Sequence, residues 1–311
     1  MGFFVIQRKL TMPKICYIEK NFRRATLDQI DTANVIIEEY AAQGFDLTLR
    51  QLYYQMVARG YIENSERSYK NFGNVIDDGR LAGRIDWDRI VDRTRNLRGN
   101  SHFRDPAQIM QAALNSYRID KWARQPYRAE VWVEKDALIG IVETVCRRLD
   151  VPFFACRGYT SQSEMWGAGQ RLERWKRQGQ TPILLYLGDH DPSGIDMTRD
   201  VIDRLTLFAG GMQVDRLALN WDQVEHFNPP PNPTKLTDSR AEGYIAEFGL
   251  SSWELDALDP ATLAGLIETA VTSFRDDSLW AESVEEETEG RGLLQMAADQ
   301  WEDVADFLQN V

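Results

Sequence analysis

An apolar run followed at once by two acidic residues constrains this 311-residue chain most. Residues 182–187 (PILLYL) have the length and apolarity of a strand buried within a parallel sheet, and ligands of such sheets collect at the carboxyl ends of the strands. Asp189 and Asp191 follow directly and alternate along an extended backbone. We therefore expect both side chains on one side, where a hard cation would offset their repulsion, and His190 on the opposite, structural face. Ordinary turn chemistry also uses Asp, Pro, Ser and Gly, and this alternative stays open.

A second acidic residue follows an upstream strand. Residues 129–133 read as that strand, with Glu134 and Lys135 at its carboxyl end, and the amphipathic stretch 137–149 reads as the crossover helix back to the sheet. Two strand-end acidic clusters in one parallel sheet can meet across a cleft. The alternative for Glu134 is a solvated acid at a helix start, which the helix dipole favours.

This order of elements resembles the Toprim domain of topoisomerases, bacterial primases and several nucleases. The shared features are a strand-end glutamate, a crossover, a further strand and helix, and a strand ending in Asp-x-Asp-x-x-Gly. The resemblance implies metal-assisted phosphoryl transfer on nucleic acid. It makes Glu134, Asp189 and Asp191 the expected ligands of Mg²⁺ or Mn²⁺. Lys135, next to Glu134, is an expected contact to a DNA phosphate, and a plain surface lysine is the alternative that stays open.

Composition limits the class of protein and where it works. No apolar run approaches the roughly 20 residues that span a bilayer, and the apolar start of the chain is too short for a signal-peptide core. Three cysteines without metal-ligand spacing fit a reducing cytoplasm. The net charge of −12 is concentrated at the end of the chain, because residues 1–100 carry 16 basic and 13 acidic groups whereas residues 211–311 carry 5 and 21. The overall negative charge argues against a nucleic-acid partner, and such binding requires that the first two thirds of the chain form the contact face.

Three helices and a short wing are predicted in the N-terminal third. The helices cover residues 26–43, with Thr26 as cap, then 48–58 and 64–81, and weak alternation over residues 83–92 predicts a β wing. This arrangement describes a winged-helix domain, whose third helix commonly enters the DNA major groove. The expected phosphate contacts are Arg67, Lys70, Arg80 and Arg84.

Two adjacent tyrosines lie in the second of these helices. Tyr53 and Tyr54 point about 100° apart, so we expect one to be buried with Leu49 and Leu52 and the other to face outward. Arg50 stands four residues before Tyr54. Taken alone, both tyrosines are read as structural.

An Arg-x-x-x-Tyr helix upstream of a Toprim-like segment resembles the A subunit of type IIB DNA topoisomerases (topoisomerase VI) and its relative that makes meiotic double-strand breaks. The resemblance covers about residues 26–220 and implies that Tyr54 attacks the DNA backbone with Arg50 beside it, whereas Gln51 stands where an acidic residue is usual. The Gly-Tyr pair at 158–159 and the Glu-x-x-Ala-Leu element at 254–258 occur in the family's order. The short length is most similar to the stand-alone mini-A proteins.

The expected architecture is α/β, with a CAP-like winged-helix domain, a Toprim domain with a Rossmann-like parallel sheet, and an α-rich acidic C-terminal region. The boundaries are an arm (1–25), the winged-helix domain (26–100), a linker (101–126), the Toprim domain (127–222), and a Pro-rich arm with an acidic helical extension (223–311). We expect the Pro-rich segment 228–233 to extend over the Toprim surface.

The resemblance implies a homodimer that cuts double-stranded DNA through a 5′-phosphotyrosyl intermediate, with the tyrosine of one protomer meeting the metal site of the other. No Gly-rich ATPase motif is found, so strand passage would need a separate ATPase or accessory subunit. The expected location is the cytoplasm, at the nucleoid or in the host cell of a virus or plasmid. Two alternatives stay open: a metal-dependent hydrolytic nuclease in which Tyr54 merely packs, and a non-catalytic module for DNA binding or assembly.

Overall fold

The computed structural model describes residues 14–90 and 102–310 of the chain. Twelve α-helices are present within these ranges: α1 Arg24–Ala42, α2 Leu49–Ala58, α3 Glu66–Leu81, α4 Pro106–Ser116, α5 Ile139–Arg148, α6 Gln162–Arg177, α7 Pro192–Ala209, α8 Trp221–Phe227, α9 Ala241–Phe248, α10 Pro260–Ser273, α11 Asp277–Asp299 and α12 Trp301–Gln309. The strands are β1 Tyr127–Val133, β2 Phe153–Ala155, β3 Thr181–Leu187, β4 Gln213–Ala218, β5 Asn232–Pro233 and β6 Ser251–Ser252. None of these helices has the length and apolar character that crossing a membrane requires.

The central element is a four-stranded parallel sheet with the order β2-β1-β3-β4. Residues on one face of the two middle strands, such as Val131 and Leu185, share a core with α5 and α10. Those on the other face, such as Trp132 and Leu184, share a core with α6 and α7. Burial on both faces explains the continuous apolar runs of β1 and β3, and the predicted α/β class is confirmed.

The connections place the two middle strands at the point where the chain changes direction. β1 leads outward to β2, and the chain then crosses back to β3 on the other side of β1. Val133 and Leu187, the last residues of β1 and β3, are paired. Ligand sites of open α/β sheets form at the carboxyl ends of strands at such a switch point, and Glu134 and Asp189 follow these two strand ends.

The N-terminal helices α1, α2 and α3 enclose a separate core that includes Ile30, Ile36, Leu52 and Phe72. Thr48 caps α2 as part of a capping box: its hydroxyl accepts from the backbone N–H of Gln51, and the Gln51 side chain accepts from the backbone N–H of Thr48. Gln51 therefore serves the role that a glutamate commonly has at this position. The expectation that Thr26 begins the first helix is wrong, because α1 already begins at Arg24.

The predicted β wing over residues 83–92 is wrong for its described part, 83–90, whereas residues 91 and 92 lie outside the described ranges. The Asp86 carboxylate accepts from the backbone N–H of Asp88 and turns the chain into a short 3-10 helix, Trp87–Arg89. Asp commonly closes such turns on its own backbone, and this local bond outweighs the weak alternation. Ile90 then forms a single parallel bridge to Leu47.

The two regions expected to be irregular or extended both contain regular secondary structure. The segment read as a linker contains α4, which packs against the acidic helix α11. Part of the Pro-rich segment forms β5, which pairs with β6, and Asn64 donates a hydrogen bond to the carbonyl oxygen of Pro231. The segment therefore reaches the N-terminal helices rather than lying over the sheet domain alone.

Candidate active site

The glutamate after β1 lies directly against the backbone of the loop after β3. The Glu134 N–H donates to the carbonyl oxygen of Leu187 at 2.8 Å, and its Oε2 accepts from the N–H of Asp189 at 2.9 Å. A Cβ at Gly188 would lie 2.9 Å from that same oxygen and 2.8 Å from Cε1 of Tyr186, so a larger residue would displace one of these side chains. Burial, followed by the repulsion of Asp189, raises the pKa of Glu134 to about 7.

Asp189 is buried beside it, with 5% of its surface exposed. Its Oδ1 accepts from the N–H of Leu255 at 2.8 Å, and its Oδ2 lies 2.7 Å from the Lys135 ammonium. Burial raises the pKa of Asp189 to about 6, although Lys135 acts in the opposite direction. Both carboxyl groups therefore hold a proton more tightly than in water, mainly because they are buried, and Lys135 offsets this effect only in part.

Asp191 has a different environment from Asp189. Its carboxylate caps α7 by accepting from the N–H of Gly194 at 2.6 Å. The side chain is half-buried and lines an open cleft, whereas Asp189 lies behind the cleft wall. A Cβ at Gly194 would lie 2.2 Å from the carbonyl oxygen of Asp189, so this glycine keeps the turn between the two acids tight.

His190 connects this loop to a distant segment of the chain. Its backbone forms an antiparallel bridge with Trp253, with hydrogen bonds of 2.8 and 2.9 Å. Its ring is buried among aromatic side chains and lies within hydrogen-bond distance of the Tyr244 hydroxyl. Burial lowers the pKa of His190 to about 4, which keeps the ring neutral. The expected structural position of His190 is thus observed, and the bridge brings Glu254 and Asp256 to the acidic sheet edge.

Lys135 lies among three carboxylates rather than free at the surface. Its ammonium is 2.7 Å from Asp189, 3.0 Å from Glu254 and 3.2 Å from Asp256. These neighbours raise the pKa of Lys135 although burial opposes the charge. The lysine expected to contact DNA therefore neutralises carboxylates within the chain.

Arg50 extends the same ion-pair network to α2. Its guanidinium pairs with Glu254 and, at 3.0 Å, with the completely buried Asp256. The network joins the helix that carries Tyr54 to the loops after β1 and β3. The sequence similarity at residues 254–258 did not place Glu254 or Asp256 at the site, because nothing local in the sequence indicates a contact with residue 50.

Both tyrosines of α2 are buried, so the expectation that one faces outward is wrong. Tyr53 is covered by α3, and its hydroxyl accepts from the N–H of Ser65 at 2.9 Å. Tyr54 is 4% exposed, and its hydroxyl accepts a 3.4 Å hydrogen bond from Asn232 of the Pro-rich segment. The pKa of Tyr54 is raised, with burial as the largest cause, whereas Asn232 and Arg50 act to lower it.

A cleft of about 630 Å³ brings several predicted residues together within one chain. Arg50, Tyr54 and Asp191 line it, together with Asn232 and Glu254. Glu134 and Asp189 lie behind it and are connected to it through Lys135 and Glu254. The cleft therefore places a phenol, a guanidinium and a helix-capping carboxylate around one open space.

The residues predicted to contact DNA phosphates differ in their solvent exposure and in the contacts that their charged groups already make. Arg67 and Arg84 are exposed, and Lys70 is exposed beside Glu66 at 2.7 Å. Arg80 instead stacks on Trp87 and donates to the carbonyl oxygens of Trp87 and Ile90. Arg80 thus holds the turn after α3, and its guanidinium is already used within the chain.

The donor chemistry at the sheet edge suits a hard divalent cation, but its arrangement is not that of a formed metal cluster. Carboxylate oxygens are the ligands Mg²⁺ prefers, and Glu134 and Asp189 hold such oxygens in buried positions beside other carboxylates, which raises their pKa values. Neither oxygen of the buried Asp256 carboxylate has a hydrogen-bond donor beyond its ion pairs. Across residues 14–90 and 102–310, no group of three acidic, histidine or cysteine side chains has metal-holding geometry.

Comparison of the chain with protein-family models, with curated proteins and with solved structures yields no match.

Proposed function

We propose that this chain is a DNA-cleaving transesterase similar in kind to the topoisomerase VI A subunit. The main support for this proposal is that Tyr54, Arg50 and Asp191 line the same cleft. This cleft lies beside the acidic sheet edge. In the proposed architecture, α1 to α3 belong to a winged-helix-like DNA-binding domain and the parallel sheet to a Toprim-like domain.

In the proposed reaction, the Tyr54 oxygen attacks a backbone phosphorus after its proton is lost to solvent. A phosphotyrosyl bond to the 5′ end forms as the P–O3′ bond breaks, and the leaving 3′ oxygen takes up a proton. Arg50 provides positive charge near the phenolate, with its Cζ 5.8 Å from the centre of the Tyr54 ring. Religation is the reverse of these bond changes.

A bound Mg²⁺ or Mn²⁺, held by Glu134, Asp189 and Asp191, would supply positive charge next to the phosphate and the leaving oxygen. Lys135 is part of the same electrostatic arrangement, since its ammonium already lies on Asp189. Charges that are fixed in a partly buried site stabilise a developing oxyanion more strongly than charges in water do.

The proposed substrate is double-stranded DNA, and the proposed working unit is a homodimer, because a break in both strands needs two cleavage centres. Arg67, Lys70 and Arg84 are exposed on or next to α3 and would contact the DNA backbone. Coupling to strand passage would need a separate ATPase or accessory subunit, and the proposed location is the cytoplasm.

A metal-dependent hydrolytic nuclease is the second candidate, and the burial of Tyr54 favours it. A phenol that is 4% exposed and has a raised pKa is a poor nucleophile until the cleft changes. In this alternative the acidic sheet edge activates water, and Tyr54 only packs.

The two candidates are separated by incubating supercoiled plasmid with protein and Mg²⁺ or Mn²⁺, then denaturing with and without protease. The transesterase produces ends that carry protein, which Tyr54→Phe abolishes. Tyr53→Phe is the matched control, because it removes a hydroxyl one residue away that lies in the α3 contact. Cleavage by Tyr54→Phe with free ends would instead establish the hydrolytic nuclease, and a wild-type protein that never cleaves would leave the non-catalytic module.

A further inference from the structure

The Pro-rich segment holds one side chain directly over Tyr54. Asn232 belongs to β5, whose partner β6 fixes the backbone on one side. Thr234, two residues later, donates its N–H to the carbonyl oxygen of Leu250 at 2.9 Å, and Asn64 donates to the carbonyl oxygen of Pro231 at 3.1 Å. The backbone at position 232 is therefore held by pairing before, at and after the residue.

The orientation of the Asn232 amide follows from its neighbours. Its Oδ1 accepts from the Asn64 side-chain amide at 2.9 Å, which leaves the Nδ2 group to face the other way. That Nδ2 donates to the Tyr54 hydroxyl at 3.4 Å and to Oε1 of Glu254 at 3.3 Å. The Glu254 carboxylate can only accept, so reversing the amide would place oxygen against oxygen at that contact.

We propose that Asn232 is a positioning residue for Tyr54: its amide aims the phenolic oxygen into the cleft and stabilises the phenolate over the phenol. This inference rests on the proposed transesterase function. A donor to an ionised oxygen favours the ionised form, and hydrogen bonds of catalytic groups are commonly long before substrate binds. Asn232 also lies between the Tyr54 oxygen and the Glu254 carboxylate, so it separates the phenolate from a like charge.

Several other charged or ionisable side chains line the cleft around Tyr54. Arg50 lies on the same helix, and Glu254 follows β6. The remaining charged or titratable side chains of the cleft are Tyr53, Glu66, Tyr69, Asp191, Lys235 and Asp238. A substitution at position 232 removes none of these side chains. A change in the titration midpoint of Tyr54 is then attributed to the loss of the Asn232 amide.

The test measures the Tyr54 hydroxyl itself, in protein without DNA or metal. A difluorotyrosine at position 54, which titrates at lower pH than tyrosine, is followed by ¹⁹F NMR in wild type, Asn232→Ala and Asn232→Asp. One lost hydrogen bond predicts a rise of about 0.5–1 pH unit for Asn232→Ala. Asn232→Asp keeps the shape but replaces the donor with a carboxylate, so we expect a larger rise.

Asn228→Gly is the matched control in the same Pro-rich segment. Asn228 has a φ of +46°, which glycine adopts readily, and its replacement should leave the Tyr54 midpoint unchanged. Circular dichroism establishes that each variant is folded. A midpoint that is the same in wild type, Asn232→Ala and Asn232→Asp would overturn the inference.

The cleavage reaction gives a second, separable readout. Asn232→Ala should slow formation of the protein–DNA adduct about three- to tenfold at pH 7 and move the rising limb of the pH–rate profile upward by the same interval as the midpoint. A uniform loss at every pH would contradict stabilisation of the phenolate by Asn232 and leave it only the aiming of the phenolic oxygen. If wild type forms no adduct while the ¹⁹F midpoint still moves, the proposed function fails but the contact of Asn232 with the Tyr54 oxygen stands.

Discussion

The Arg50 guanidinium lies 3.0 Å from a carboxylate oxygen of Asp256, a residue whose side chain is completely buried. This contact joins α2, which carries Tyr54, to the segment that reaches Asp189 through the His190–Trp253 bridge. The geometry of the cleft therefore depends on charges at its base and not on apolar contacts alone.

Removing Arg50 should destabilise the fold strongly. Arg50→Met leaves Asp256 and Glu254 with Lys135 as their remaining cation, and breaking a buried pair costs about 3–5 kcal/mol. Because the Arg50 side chain is partly exposed, we expect the free energy of unfolding, measured with urea, to fall by about 2–3 kcal/mol. Adding Asp256→Asn should recover part of it; purely additive losses in the double variant would contradict direct coupling.

The metal-free protein should lose stability as the pH rises through the raised pKa values of the Glu134 and Asp189 carboxyl groups. Glu134 and Asp189 bind protons more tightly in the folded state than in the unfolded chain, since their pKa values rise from 4.5 to about 7 and from 3.8 to about 6. The stabilisation that these two protonated carboxyl groups give the fold is therefore complete below about pH 4 and is lost by about pH 7. With a chelator present, Glu134→Gln should flatten this dependence and raise stability at pH 8 by about 1–3 kcal/mol. An unchanged profile would contradict raised pKa values for these two carboxyl groups in the folded protein.

Alanine at Gly194 should disrupt the loop between β3 and α7. The added Cβ would lie 2.2 Å from a backbone oxygen that cannot move freely, so we expect a loss of at least about 2 kcal/mol and weaker DNA cleavage. Gly265 in α10 is the matched control, because nothing lies within 4 Å of its Cβ position. Gly265→Ala should stabilise by about 0.5–1 kcal/mol in the same thermal unfolding experiment.

Glu287 should hold the acidic helix α11 against the chain. Its carboxylate lies 2.5 Å from the Lys121 ammonium and accepts from the N–H of Ile119 at 3.2 Å, with 12% of its side chain exposed. Glu287→Ala should cost about 2–4 kcal/mol and increase hydrogen exchange in α11. The exposed neighbour Glu285 is the control, and equal exchange in both alanine variants would refute an anchoring role for Glu287.

The sheet and the positions of its strand-end acids could be predicted because they depend on local patterns. Burial on both faces forces continuous apolar runs, and the carboxyl end of each run fixes where Glu134 and Asp189 lie. The ion pair between Arg50 and Glu254 joins residues 204 positions apart, and no local pattern encodes it. The burial of Tyr54 by the Pro-rich segment was missed for the same reason, whereas the wing was wrong because one aspartate closed a turn.

The most direct measurement is the identity of the residue that becomes attached to DNA. The adduct formed with Mg²⁺ is denatured, treated with nuclease and protease, and its nucleotide-bearing peptide is sequenced by mass spectrometry. We expect a 5′-phosphonucleotide on Tyr54, present in Tyr53→Phe and absent from Tyr54→Phe. A nucleotide on any other residue, or efficient cleavage with no attached nucleotide, would contradict it.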